Sequence, residues 1–112
     1  MHEMSVVMSM IDICEKHAKG KEIETIVVNI GKLSGIEPHF LESAFEIFRE
    51  ESKICKNAKL HLNIIDIKIL CLDCQKESIV EDYNFYCPNC KGSNTKTING
   101  KEMYIDHIEL KD

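Results

Sequence analysis

The sequence lacks the features that insert a protein into a membrane or export it. Charged residues interrupt every apolar run well before the roughly 20 consecutive apolar residues that a spanning helix needs. The opening Met1-His2-Glu3 carries no secretory signal peptide. We therefore expect a cytoplasmic protein that does not contact a membrane and whose cysteines stay reduced.

The motifs of several common enzyme classes are also missing. The chain has no glycine-rich phosphate loop, no serine in a nucleophile elbow and no HExxH helix. These absences favour a protein that is not an enzyme.

Positive charge is scarce as well, since the formal net charge is −5. Between residues 70 and 97, four acids (Asp73, Glu77, Glu81, Asp82) stand against three lysines (Lys76, Lys91, Lys96). This segment offers no basic face for phosphates, so we expect no nucleic acid partner.

The most specific motif that is present is a pair of CxxC sequences. Cys71 and Cys74 form the first pair, Cys87 and Cys90 the second, and twelve residues separate the pairs. Four thiolates at this spacing predict a tetrahedral Zn(II) site, and because they take all four positions the zinc should be structural. Gly92 is expected to permit the left-handed turn that closes the second pair.

Two alternatives remain for these four cysteines. They could form two disulfides, which requires an oxidising compartment, or hold iron in the same sulfur cage. Cys14 and Cys55 have no cysteine at the two-residue spacing, so we leave both out of the metal site.

The rest of the chain alternates between helical and extended patterns. Apolar residues recur at three- and four-residue steps over 4–18 and 40–51, which predicts two amphipathic helices. Extended patterns predict strands over 23–30, 60–69 and 102–110. A change of phase near Ile64 and Ile65 predicts a bulge in the second strand.

Two of these strands flank the cysteine motifs, so the motifs belong to an insertion. The main domain is then formed by residues 1–69 and 98–112, and the inserted module by 70–97. The expected fold is α+β: two helices packed on a three-stranded mixed β-sheet, with an inserted four-cysteine, zinc-ribbon-like module. The module is too short to bury a core unaided, so the metal should be its main support. Leu70 and Thr97-Ile98 are the expected pivots.

His2 suggests a second metal site at the amino terminus. The Met1 amine, the His2 amide, the His2 Nδ1 and the Glu3 amide can close chelate rings around one ion. Four nitrogens in a plane suit Ni(II) or Cu(II). Histidine is a common residue at this position, so the alternative is that His2 has no metal role.

Taken together, these residues make the chain similar to the HypA/HybF family of nickel metallochaperones for NiFe-hydrogenase maturation. The resemblance runs from end to end. It rests on Met1-His2-Glu3-Met4-Ser5, on Gly31 followed by Glu42-Ser43-Ala44-Phe45, on the four cysteines, and on Glu102-Met103.

The resemblance implies an α/β nickel domain interrupted by a zinc domain. The family's nickel site falls on Met1, His2 and Glu3, and its zinc ligands fall on Cys71, Cys74, Cys87 and Cys90. A further acidic position near the nickel corresponds to Glu37.

The implied partners are a HypB-type GTPase and the hydrogenase large subunit, and some family members also serve urease maturation. The chain has no GTPase motif of its own, which fits a helper of this kind. We expect a monomer or a weak homodimer. The hypothesis is a non-enzymatic Ni(II) carrier with a structural Zn(II), and the rival is a zinc-ribbon interaction or nucleic-acid adaptor without nickel function.

Overall fold

The structure, a computed structural model, describes residues 3–112. Its elements in chain order are α1 (Glu3–Ala18), β1 (Ile23–Gly31), α2 (Pro38–Phe48), a 3-10 turn (Arg49–Glu51), β2 (Lys59–Ile65), β3 (Lys68–Cys71), β4 (Glu77–Ile79), β5 (Thr95–Asn99) and β6 (Met103–Leu110). No helix among the described residues has the length and apolar character needed to cross a membrane.

The first sheet has the strand order β2-β1-β6. β1 pairs in parallel with β2 and antiparallel with β6. A parallel pair needs a crossover connection, and α2 provides it. The predicted α+β fold, with two helices on a three-stranded mixed sheet, is confirmed.

The main core forms where both helices bury their apolar stripes against β1. Its fully buried residues include Val7 and Cys14 of α1, Leu41 and Phe45 of α2, and Ile26 of β1. α2 starts at Pro38 because Glu37 caps it: the Glu37 side chain accepts a hydrogen bond from the Phe40 N–H at 2.9 Å.

The second sheet, in the order β4-β3-β5, is antiparallel. Its core is small and consists of Ile67, Ile69 and Val80, with Phe85 packed against them. The second sheet begins at Lys68 and ends at Asn99, two residues beyond the predicted module at each end.

The predicted single strand over 60–69 is wrong. β2 ends at Ile65 and β3 begins at Lys68, so the change of phase near Ile64 marks the exit of the chain from one sheet into the other. The expected pivots are wrong too, because Leu70 and Thr97 are paired inside the second sheet.

The chain passes between the sheets at 66–67 and 100–102, where the loop after β1 contacts both crossings. The Lys32 N–H donates to the Ile65 carbonyl at 3.1 Å, and the Leu33 N–H donates to the Gly100 carbonyl at 2.8 Å. The Lys32 Nζ lies 2.7 Å from the Asp66 carboxylate. These contacts hold the base of the inserted module.

Gly31 is required at this junction, because a Cβ built there would collide with the Gly100 carbonyl group. We expect Gly31→Ala to lower the free energy of unfolding by about 3 kcal/mol or more, the upper end of overpacking costs. Gly20→Ala is the control: Gly20 has φ +84° and open space around it, so only backbone strain of about 1 kcal/mol is expected. Urea denaturation followed by circular dichroism measures both, and equal losses would contradict the packing argument.

Candidate metal centres

The four cysteines of the CxxC pairs come together at one end of the second sheet. Cys71 ends β3 and Cys74 lies in the turn after it, while Cys87 and Cys90 lie in the turn that precedes β5. All four sulfurs lie within 4.8 Å of one another. Among the described residues, no other cluster of three or more metal-ligating side chains occurs.

The two turns share one backbone design. The Cys74 N–H donates to the Cys71 sulfur and the Cys90 N–H to the Cys87 sulfur, each at 3.5 Å. Gln75 and Lys91, each one residue beyond its pair, have φ values of 64° and 65°. The sequence had indicated Gly92 as the left-handed residue of the second turn. That prediction is wrong, because the residue with positive φ is Lys91.

The sulfur spacing fits a metal ion better than disulfides. Cys71 and Cys90 have their sulfurs 3.5 Å apart, and Cys74 and Cys87 have theirs 3.6 Å apart, whereas a disulfide bond is about 2.05 Å long. Zn–S bonds of about 2.3 Å place the corners of a tetrahedron about 3.8 Å apart. The donor set and its spacing therefore suit Zn(II).

The pKa values of the Cys74 and Cys90 thiols are shifted in opposite directions. The Lys76 N–H is the main group that lowers the pKa of Cys74, to about 6, with further help from Asn89. The Gly92 N–H acts in the same direction on Cys90, but hydrogen bonds with neighbouring sulfurs, together with burial, raise the pKa of Cys90 to about 12. The Cys74 thiol therefore ionises readily and the Cys90 thiol resists ionisation, and a divalent cation bound to the two sulfurs would favour the thiolate form of both.

Cys14 and Cys55 lie apart from this cluster, as predicted. Both are buried in the main core, with exposed fractions of 1% and 0%. Burial raises the pKa of Cys14 to about 12, and burial also raises the pKa of Cys55 despite a hydrogen bond with Ser52 that lowers it.

At the amino terminus, the predicted ligands Met1 and His2 lie outside the described residues. Glu3 opens α1 and is only 6% exposed. Its Oε2 lies 3.4 Å from the Glu37 N–H, which donates to it. The structure therefore brings Glu3 and Glu37 together at the point where α1 and α2 both begin.

Sequence reasoning did not find this contact, because 34 residues separate its partners and each carboxylate has an ordinary local role. A carboxylate in the first turn of a helix stabilises the helix dipole, and Glu37 also caps α2. Within the sequence, only the family resemblance pointed to this region, because it implied an acidic residue near the nickel at Glu37.

The fold and the four-sulfur cluster define a small α+β metal-binding protein with an inserted cysteine module. Comparison with known proteins identifies the family. A family model described as hydrogenase/urease nickel incorporation, metallochaperone, hypA matches residues 1–110. The chain belongs to this HypA family of metallochaperones.

Individual relatives match over nearly their full lengths. The chain is 42% identical to the hydrogenase maturation factor HypA of Campylobacter jejuni, over 99% of this chain and 100% of the relative. It is 42% identical to the protein of that name from Aquifex aeolicus, over 98% and 97%. The solution structure of the Ni metallochaperone HypA from Helicobacter pylori matches with a TM-score of 0.70 and 38% identity, over 98% of this chain and 97% of that one. The predicted family is confirmed.

The burial of Cys14 in the main core can be tested by alkylation. We expect iodoacetamide at pH 8 to leave Cys14 unmodified in the folded protein, because a pKa of about 12 leaves a thiolate fraction of roughly 10⁻⁴. Peptide mass spectrometry reads each site, and denatured, metal-free protein, in which all six thiols are free to react, is the control. Rapid labelling of Cys14 in the native protein would contradict its placement in the core.

Proposed function

We propose that this protein is a nickel metallochaperone that takes up Ni(II) as cargo at its amino terminus and delivers it during maturation of a NiFe-hydrogenase or a urease. Membership of a metallochaperone family over residues 1–110 is the observation that carries this proposal. Such a protein is not an enzyme, because its task is to bind and release a metal ion.

The nickel ligands we propose are the Met1 amine, the amide and Nδ1 of His2, and the amide of Glu3. The carboxylate of Glu3 has another role in this scheme. It is buried and accepts a hydrogen bond from the Glu37 N–H, so it anchors the first turn of α1 to the start of α2. Glu37 supports the site through that N–H and through its cap on α2.

We propose that Cys71, Cys74, Cys87 and Cys90 hold a structural Zn(II). When bound, the zinc supplies a cross-link between the two CxxC turns. The hydrophobic cluster beneath the second sheet has only three buried members, Ile67, Ile69 and Val80, so this cross-link is the main support for the fold of the module. We assign the zinc to an inserted domain, predicted as 70–97, and the nickel to the discontinuous domain formed by 1–69 and 98–112.

The partners of this function are the maturation machinery of the nickel enzyme. We propose a HypB-type GTPase as the source of nucleotide chemistry and the hydrogenase large subunit as the recipient, with urease maturation proteins in the second case. Thiolate ligands and six free cysteines support a reducing compartment, the cytoplasm.

The zinc assignment predicts that protein purified without added metal carries about one zinc per chain. We expect Cys74→Ala or Cys87→Ala to remove the zinc and unfold the module, since a ligand is lost and the core is small. Cys14→Ala and Cys55→Ala are the matched controls and should keep the full zinc content. Elemental analysis measures this, and iron in place of zinc would overturn the assignment.

The nickel assignment predicts that adding Gly-Ser before Met1 abolishes Ni(II) binding while zinc and fold remain. The extension converts the Met1 amine into an amide, and moves the free amine out of chelate distance of His2. His2→Ala should have the same effect, and Gly-Ser added after Asp112 is the control. The absorption of planar Ni(II) and the nickel-to-zinc ratio after desalting are the measurements.

Equal nickel retention by the extended and the unextended protein would refute the assignment of the nickel site to the amino terminus. Absence of specific nickel binding in every form would instead favour a zinc-ribbon adaptor.

A further inference from the structure

The outer edge of β4 is open. β4 is the terminal strand in the order β4-β3-β5, and within residues 3–112 only β3 pairs with it. An edge of this kind presents backbone N–H and C=O groups on which another extended segment can pair.

The register of the ladder shows which groups these are. In an antiparallel pair, residues that exchange both hydrogen bonds alternate with residues whose N–H and C=O point away from the partner strand. The Val80 N–H donates to the Ile67 carbonyl at 2.8 Å and the Cys71 N–H donates to the Lys76 carbonyl at 2.9 Å. The hydrogen-bonded pairs are therefore Ile67–Val80, Ile69–Ser78 and Cys71–Lys76.

Glu77 and Ile79 fall between these pairs. Their N–H and C=O groups consequently face the open edge. Together these two residues offer two backbone N–H donors and two C=O acceptors along the edge. Their spacing matches that of the donors and acceptors on one side of an added β-strand.

A groove borders this edge; we call it the β4 groove. Two clefts of about 510 and 390 Å³ share Ile79 and Glu81 in their walls and together form it. One cleft reaches Tyr83 and Lys32 at the junction with the main domain, and the other reaches Tyr86 beside the second CxxC turn. The β4 groove therefore extends from the junction with the main domain to the second CxxC turn.

Three large side chains with apolar surface line the β4 groove and are exposed. Ile79 is 50% exposed, Tyr83 65% and Tyr86 61%. Aromatic residues in this position are characteristic of interfaces, where they add large contact area at low cost in conformational entropy.

The turn that carries Tyr83 is strained. Asp82 and Tyr83 have φ values of 51° and 57°, a region that a bulky residue rarely adopts. Core packing does not account for this conformation, because Tyr83 is largely exposed. Backbone strain of this type clusters at binding and active sites.

The charges at the two ends of the β4 groove differ. Asp82 stands at the end near the junction, Glu81 lies where the two clefts meet, and Lys91 stands at the other end. None of these three forms an ion pair among the described residues. An occupant with a cationic and an anionic end would complement them.

We propose that the β4 groove binds an extended peptide segment of a partner protein, which adds a strand to β4, places an apolar side chain against Ile79 and Tyr83, and sets a cationic residue beside Glu81 and Asp82. The backbone groups of Glu77 and Ile79 select an extended peptide, since only a peptide strand repeats donors and acceptors at this spacing. This interaction does not depend on nickel.

The probe is the synthetic peptide acetyl-Lys-Thr-Val-Thr-Val-Thr-Asp-amide, added to ¹⁵N-labelled, zinc-loaded protein. We expect amide shift changes confined to 76–91, with the largest at Glu77 and Ile79. Two analogues, N-methylated on alternate residues, are the matched controls. The analogue whose methyl groups replace the N–H groups that face β4 should bind about tenfold or more weakly. The other analogue should bind as the unmodified peptide does, because its methylated nitrogens point away from β4. Absence of shift changes at millimolar peptide, or equal affinity of both analogues, would overturn the proposal.

Protein variants test the same edge independently. The Ile79 N–H points outward, so Ile79→Pro removes an edge donor without removing a ladder hydrogen bond. We expect Ile79→Pro to bind the peptide about tenfold more weakly than Ile79→Ala, with zinc content unchanged in both. Equal affinities would count against strand addition. If Ile79→Pro loses its zinc, the methylated analogues decide, since they leave the protein unaltered.

Tyr83→Asn separates binding from stability. Asparagine tolerates the left-handed region, so this variant should raise the melting temperature while it weakens peptide binding.

A second copy of this chain is the competing occupant. Sedimentation showing a dimer that Ile79→Pro dissociates would replace the proposed peptide with self-association and overturn the proposal.

Discussion

Pairing of β6 with β1 fixes where the inserted module stands on the main domain. The two strands are separated by most of the chain, yet they align from Ile23 with Leu110 to Ile30 with Met103. Because β6 follows the inserted module, this pairing brings both ends of the module to the same end of the first sheet, where β1 ends. The loop after β1 then contacts both crossings, and the close approach of Gly31 to Gly100 leaves no space for a side chain. The loop-closure entropy of so long an excursion is offset by the burial of β1 beneath two helices.

The two proposed metal sites follow opposite designs. The cysteine site is built from two local turns, and its ligands are close in sequence within each turn. The amino-terminal region depends on the contact between Glu3 and Glu37, which ties the beginnings of two helices together. In this proposal the module depends on a metal cross-link, whereas the main domain depends on its hydrophobic core. A module with so small a core also leaves large side chains such as Ile79, Tyr83 and Tyr86 exposed, and these line the β4 groove.

Most of the elements could be predicted from periodicity, and the errors have physical causes. The strand over 60–69 was predicted as one because extended patterns continue through the change of sheet. Nothing in the local pattern records that Ile65 and Lys68 pair with different partners. The left-handed residue was assigned to Gly92 on the basis of its conformational freedom, but the geometry of the CxxC turn requires it at Lys91, whatever residue stands there.

Local sequence patterns were enough to predict the family, the two amphipathic helices, the main strands and the four-cysteine motif. Hydrophobic periodicity and CxxC spacing express themselves within a few residues, so they can be read without knowledge of the fold. The strand order β2-β1-β6, the contact of Glu3 with Glu37, the junction at Gly31 and Gly100, and the open edge of β4 became visible only in the folded chain. Each of these depends on residues that are distant in the chain and meet only when the core has formed. A sequence pattern carries no record of such partners, because the free energy that selects them comes from packing the whole chain at once.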